Sequence, residues 1–307
     1  MQCYHYRQIQ PEVMSMEKAM KMIKPIVNVS KIMDAYDVIL CGFNGVLHDG
    51  TDFKPEAADA LIRLRKNGKK IVLVSNTSLR LEQIVAMMYE ARISPRIFAA
   101  IVTAGEVLHY KLKAQNSKYA ALGHCYYNLG PAGDYGIFSG LNYKVTDNPA
   151  RADFLYIGKV DSPTIAIENY MEVLGHAASL NIPMLCIGND TAALIKGEVA
   201  LAPGAIAEQY AVLGGKILTI GKPDSHMLYY ALEACGEVDK KRVLLIGDSV
   251  FTDIKAAAAI GVSSMLVSKG IHINYLGEGY IPDVTKTREL ASALDAFPDY
   301  VISQLRW

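Results

Sequence analysis

Two aspartates, Asp248 and Asp253, follow the apolar run Val243-Leu244-Leu245-Ile246-Gly247. The run reads as a buried strand, and its Gly-Asp end puts Asp248 at the strand tip. Asp253 falls in the first turn of the Ala-rich helix that follows, where the helix dipole favours an anion. Two carboxylates converging on one loop suit Mg2+, a hard cation that takes oxygen ligands and keeps part of its water shell. The same pair also suits a turn and a helix cap. A second run, Ile71-Val72-Leu73-Val74-Ser75-Asn76-Thr77-Ser78, ends in hydroxyl and amide side chains before a helix. Ser75, Asn76 and the free N–H groups there suit phosphate oxygens, and are equally ordinary caps. Lys222, in Ile220-Gly221-Lys222-Pro223-Asp224, offers a point charge for phosphate or a solvated surface cation.

These residues need elements that bring them together. Strands are expected over 37–41, 70–75, 154–157, 183–187, 242–246 and 262–267. Helices are expected over 55–66, 79–91, 104–112, 163–179, 205–213, 224–234 and 251–259. Apolar strands alternating with helices predict an α/β protein with a doubly wound parallel sheet covered on both faces. Such sheets bind ligands beyond the carboxyl ends of their strands, where every motif above falls. The segment before Tyr36 is rich in Met and Lys, and its pattern predicts a helical extension, residues 1–35, packed on the core.

The chain has 307 residues, 51% of them hydrophobic, enough for one large domain or two ordinary ones. Lys+Arg 31 balances Asp+Glu 31, so no basic surplus points to nucleic acid or a membrane surface. Cys3, Cys41, Cys125, Cys186 and Cys235 are odd in number and lack metal spacing, as in a cytoplasmic protein with reduced thiols. No run is apolar and long enough to span a bilayer, and no signal peptide opens the chain.

The strand-turn Val38-Ile39-Leu40-Cys41-Gly42-Phe43-Asn44-Gly45-Val46-Leu47, then Ser75-Asn76, Lys222-Pro223 and Gly247-Asp248, resemble in order the haloacid dehalogenase superfamily of phosphohydrolases. The long insert between Ser75 and Lys222 resembles the α/β cap of its class IIA branch, which includes nucleotide-, sugar- and 4-nitrophenyl-phosphatases. Gly45-Val46-Leu47-His48-Asp49-Gly50, Thr103-Ala104-Gly105-Glu106 and Pro203-Gly204-Ala205-Ile206 match as well. The resemblance covers roughly residues 36–270. It implies a Rossmann-like core from residues 36–111 and 219–307, with a C2-type cap inserted at 112–218.

It also implies roles. The family motif is Asp-x-Asp-Gly: the first Asp attacks phosphorus and holds Mg2+, and the second is the acid/base. Gly45-Val46-Leu47 fixes the register, so Gly42 stands at the nucleophile position and Asn44 at the acid/base position. Ser75, Asn76 and Lys222 are expected to hold phosphate, with Asp190 recognising substrate from the cap. Asp248, Asp253 and the Asn44 backbone oxygen are expected to form a weakened Mg2+ site. The usual cap triplet Asn-Pro-Asp is here Gly188-Asn189-Asp190. Glycine can form no ester, so a small phosphorylated metabolite is expected to bind without efficient hydrolysis. Two alternatives stay open: an active Mg2+-dependent phosphatase using a substitute nucleophile or direct water attack, and a structural homodimer through the cap.

Overall fold

The computed structural model describes residues 22–115, 118–134 and 136–307. Most strands are short, apolar and rich in Val, Ile and Leu. They form β1 (Lys24–Pro25), β2 (Val38–Cys41), β3 (Lys70–Ser75), β4 (Ala100–Thr103), β5 (Cys125–Asn128), β6 (Lys144–Thr146) and β7 (Phe154–Ile157). After these come β8 (Met184–Ile187), β9 (Ala192–Ile195), β10 (Glu198–Leu201), β11 (Ile217–Ile220), β12 (Val243–Gly247), β13 (Ser263–Val267) and β14 (Tyr300–Ile302).

The first sheet has the order β1-β14-β13-β12-β2-β3-β4, with every pair parallel. The second, β11-β8-β7-β5-β6, is also parallel, and β9 and β10 form a separate antiparallel hairpin. The first sheet thus draws on both ends of the described chain and the second on its middle. β11 runs to Ile220, two residues beyond the boundary at 218 expected from the sequence.

Side-chain alternation explains why both faces of the first sheet are apolar. Val38, Leu40, Val72, Val74, Val243 and Leu245 face one cluster; Ile39, Cys41, Ile71, Leu73, Leu244 and Ile246 face the other. The helix Pro55–Lys66 begins with proline at its first position and lays Leu61 and Leu64 on the second face. Each buried leucine there contributes about 1.5–3 kcal/mol. The opposite cluster continues into Tyr126, Phe154, Tyr156 and Leu185 of the second sheet, so the two sheets share one apolar core.

Three of the expected helices change character in the structure. Within the expected N-terminal helix, residues 24–35 instead form β1 and two short 3-10 turns, because Pro25 cannot sustain a helix ladder. Residues 1–21 lie outside the described residues. The helix expected over 163–179 is α-helical only from Met171, preceded by a 3-10 turn at Ile167–Tyr170. The turn carrying Asp253 is π-helical over Val250–Ile254 before the α-helix Lys255–Ile260. Among the described residues no helix is long and apolar enough to cross a membrane.

Candidate functional site

β2, β3 and β12 are neighbours, so their carboxyl ends bring Gly42, Ser75 and Asp248 to one edge of the sheet. β11 ends beside them and delivers Lys222, whose peptide bond to Pro223 is cis. Lys222 Nζ donates to Asp253 Oδ1 at 2.6 Å and approaches the Val74 carbonyl at 3.3 Å. Burial works against its charge, but Asp253 and Asp190 outweigh burial and hold its pKa above the ordinary lysine value. The other Asp253 oxygen accepts the N–H groups of Asp248 and Ser249, both at 3.1 Å. Asp253 therefore closes its own loop onto the lysine.

Asn76 ties that lysine to the turn after β3. Its Oδ1 accepts the Lys222 N–H at 2.6 Å, and its Nδ2 donates to the Lys222 carbonyl and to Asp190 Oδ2 at 3.0 and 2.8 Å. The Thr252 hydroxyl donates to Asp190 Oδ1 at 2.6 Å. Asp190, from the loop between β8 and β9, thus bridges two loops of the first sheet. Burial, then the competing pull of Lys222 and push of Asp253, leave its carboxyl above the usual range. Ser75 is buried, and its Oγ accepts the Thr77 N–H at 3.2 Å.

A cleft of about 290 Å³ is lined by Asn44, Asn76, Leu79 and Met87 from the first part of the chain and by Val160 and Asp190 from the inserted segment. Ser75, Lys222, Asp248 and Asp253 do not line it. They are 3%, 5%, 6% and 3% exposed and lie beneath the Asp190 bridge. The expected site residues are thus assembled as a buried polar cluster, of which Asn44, Asn76 and Asp190 meet the cleft.

Gly42 continues the sheet ladder, its N–H donating to the Ile246 carbonyl at 2.8 Å. Cys41, His48, Asp49 and Asp37, the candidate side chains nearest to it in sequence, are each engaged elsewhere. Cys41 packs in the core cluster with Ile39, and burial pushes its thiol up to about 12. His48 stacks on Phe43 with ring centroids 5.0 Å apart, and its Nδ1 accepts the Gly50 N–H. Burial lowers its pKa. Asp49 Oδ1 accepts two turn amides, and Asp37 pairs with Arg242.

Asp248 is pushed up to about 7, first by burial and then by Asp253. Its Oδ2 accepts the Ile271 N–H at 3.0 Å. A carboxyl whose folded pKa lies above its ordinary 3.8 favours the folded state less as pH rises through that window. Asp248→Asn keeps an acceptor for Ile271 and removes the titration. Urea unfolding should find this variant more stable than wild type at pH 8, with the difference closing toward pH 4. A difference that does not change with pH would contradict the assignment to Asp248.

The residues fit Mg2+ poorly. Mg2+ demands near-octahedral oxygen ligation. Asp253 has given one oxygen to Lys222 and the other to two amides, and Asp248 has given Oδ2 to Ile271. These oxygens keep a second lone pair but are already drawn to protein donors, so Asp248 Oδ1 and the Asn44 carbonyl are the least committed of the expected ligands. No group of three His, Cys, Asp or Glu among the described residues could hold a metal ion.

Three residues went unread in the sequence. Thr252 anchors Asp190. His272 accepts the Val250 N–H through Nε2, and burial lowers its pKa to about 4. Lys54 Nζ donates to the Gly45 carbonyl at 2.7 Å. Only Thr252, inside the Asp248–Asp253 loop, lay within a motif that drew attention.

The fold and this cluster can be set beside known proteins. Profiles of haloacid dehalogenase-like hydrolases match residues 39–134 and 132–261, and a HAD-hydrolase-like profile matches 219–306. Mouse chronophin is 22% identical over 278 residues, 87% of this chain and 90% of its own. The 5'-nucleotidase YutF of Bacillus subtilis is 27% identical over 243 residues, 78% of this chain and 90% of its own. A crystal structure of a haloacid dehalogenase-like hydrolase from Brucella suis superposes with TM-score 0.76 at 28% identity, covering 91% of this chain and 98% of that one. Profiles that run in order from residue 39 to 306, on a parallel-sheet fold with a second α/β unit inserted, lead to one conclusion: this chain belongs to the haloacid dehalogenase superfamily, in a class IIA-like branch.

Proposed function

We propose that this protein binds a small phosphorylated metabolite between its two α/β units and hydrolyses it weakly or not at all. Glycine at position 42, where the superfamily places its nucleophile, carries this reading. Phosphatases among the relatives, a 5'-nucleotidase and an acid sugar phosphatase of Staphylococcus aureus, support a phosphomonoester as the ligand class. Lys222, Ser75 and the amides after β3 supply a cation and donors for its phosphate. In the present arrangement the Asp190 carboxylate already bonds Asn76 and Thr252 above them. A phosphate must displace it, so binding requires the inserted unit to shift.

The engagements of Cys41, His48 and Asp49 described above support loss of covalent catalysis. Removing a nucleophile typically costs on the order of 10⁴–10⁶ in rate. Phosphate release from a panel of phosphomonoesters, with and without Mg2+, is the test, run beside Asp248→Asn to control for contaminating phosphatase. Wild type and control should be equally silent while calorimetry detects binding of a panel member. Turnover above the control would instead establish an active phosphatase using water or an unassigned nucleophile.

A further inference from the structure

We propose that Lys54 stands in for a divalent cation beside Asp248, so that the buried polar cluster takes a phosphate anion without Mg2+ and keeps Mg2+ out. This deepens the phosphate-binding reading and rests on it. The Lys54 backbone is fixed: its N–H donates to the Leu47 carbonyl at 2.8 Å, and Pro55 follows at the start of a helix. Its Nζ donates to the Gly45 carbonyl at 2.7 Å and approaches the Lys269 carbonyl at 3.4 Å. The two carbonyls belong to the turn after β2 and the loop after β13, on either side of the cluster.

Gly45 is also the residue against which Asp248 packs. Its φ is +75°, and a Cβ added there would lie 1.7 Å from Asp248 Oδ2. The ammonium and the carboxylate therefore both approach the same glycine. The charge balance follows from position 42. Two carboxylates facing each other would need a divalent ion. With glycine at 42 and Asp253 held by Lys222, Asp248 meets no carboxylate from position 42, and one ammonium balances it. Lysine is a compact, tethered point charge with three donors, and two carbonyls leave it one donor. A divalent ion arriving here would be repelled by a cation already in place.

Calorimetry with inorganic phosphate, in EDTA and in Mg2+, tests this with wild type, Lys54→Met and Lys54→Gln. Gln keeps a donor for Gly45 without the charge and serves if Met disturbs the turn. Wild type should bind phosphate equally in both buffers. Both variants should bind about tenfold more weakly in EDTA and recover affinity in Mg2+. Wild-type affinity that rises tenfold with Mg2+, or variants that match wild type in EDTA, would overturn the proposal. If wild type binds no phosphate in either buffer, the underlying phosphate reading fails. Titration of Mg2+ without phosphate then decides the metal half. Heat of Mg2+ binding in the variants but not in wild type supports exclusion by Lys54; binding in both, or in neither, refutes it.

Discussion

Gly42→Asp combined with Asn44→Asp should raise Mg2+-dependent phosphate release from a phosphomonoester at least about 10³-fold above wild type. The expectation rests on how little must change around position 42. Gly42 does not adopt the left-handed backbone that excludes other residues. An added Cβ would meet Val46 Cγ2 at 3.1 Å and the Ile246 carbonyl at 3.2 Å, so each must yield by a few tenths of an ångström. Lys222 is already held by Asp253, and Ser75 already stands at the carboxyl end of β3. A carboxylate at 42 supplies both a nucleophile and a second charged ligand for the metal. The Lys54 ammonium opposes that metal, so adding Lys54→Met to the pair should increase turnover again and lower the Mg2+ concentration it requires. Steady-state phosphate release across a Mg2+ series reads both effects. A folded double variant that stays at the wild-type level would show that more than the nucleophile and acid/base groups has been lost.

The sequence exposed the fold where one physical signal dominated. Apolar runs of strand length placed β2, β3, β7, β8, β12 and β13 within a residue or so, because burial on both faces leaves little room for polar residues. β5, β6 and β10 carry Tyr, Asn, Lys, Thr or Glu beside their apolar residues, so no continuous run announced them. At the N-terminus, Met- and Lys-rich composition suggested a helix, but β1 is fixed by pairing with β14, near the other end of the chain. Long-range pairing of this kind has no local signature.

The site divides the same way. Ser75, Lys222, Asp248 and Asp253 stand at strand ends or the turns that follow, and parallel topology brings such ends together. Their burial beneath Asp190 could not be read from the same pattern. It depends on Asn76 and Thr252 reaching a loop of the inserted unit more than sixty residues away from either. Lys54 was hidden for a different reason. A lysine before a proline is ordinary at a helix start, and its significance comes only from the Gly45 and Lys269 carbonyls that receive it.

Asp253→Ala should destabilise the folded protein by about 3–5 kcal/mol, a large part of the roughly 5–15 kcal/mol that holds a typical domain together. The pair Lys222–Asp253 has side chains 6% and 4% exposed, so neither charge can be rescued by water when its partner goes. Removing Asp253 leaves the Lys222 ammonium with the Val74 carbonyl at 3.3 Å, and orphans the Asp248 and Ser249 amides. Lys222→Met should cost less, because Asp253 keeps both amide donors and methionine fills most of the lysine volume. The double variant Lys222→Met with Asp253→Leu replaces both charges by apolar groups and should lie closer to wild type than Asp253→Ala does. Urea unfolding at pH 7 orders the three. Equal, small losses in both single variants would mean that the pair is screened by solvent. A large loss confined to Asp253→Ala would instead locate the stability in the carboxylate that closes the Asp248 loop, with Lys222 retained there for the anion it can meet once Asp190 moves aside.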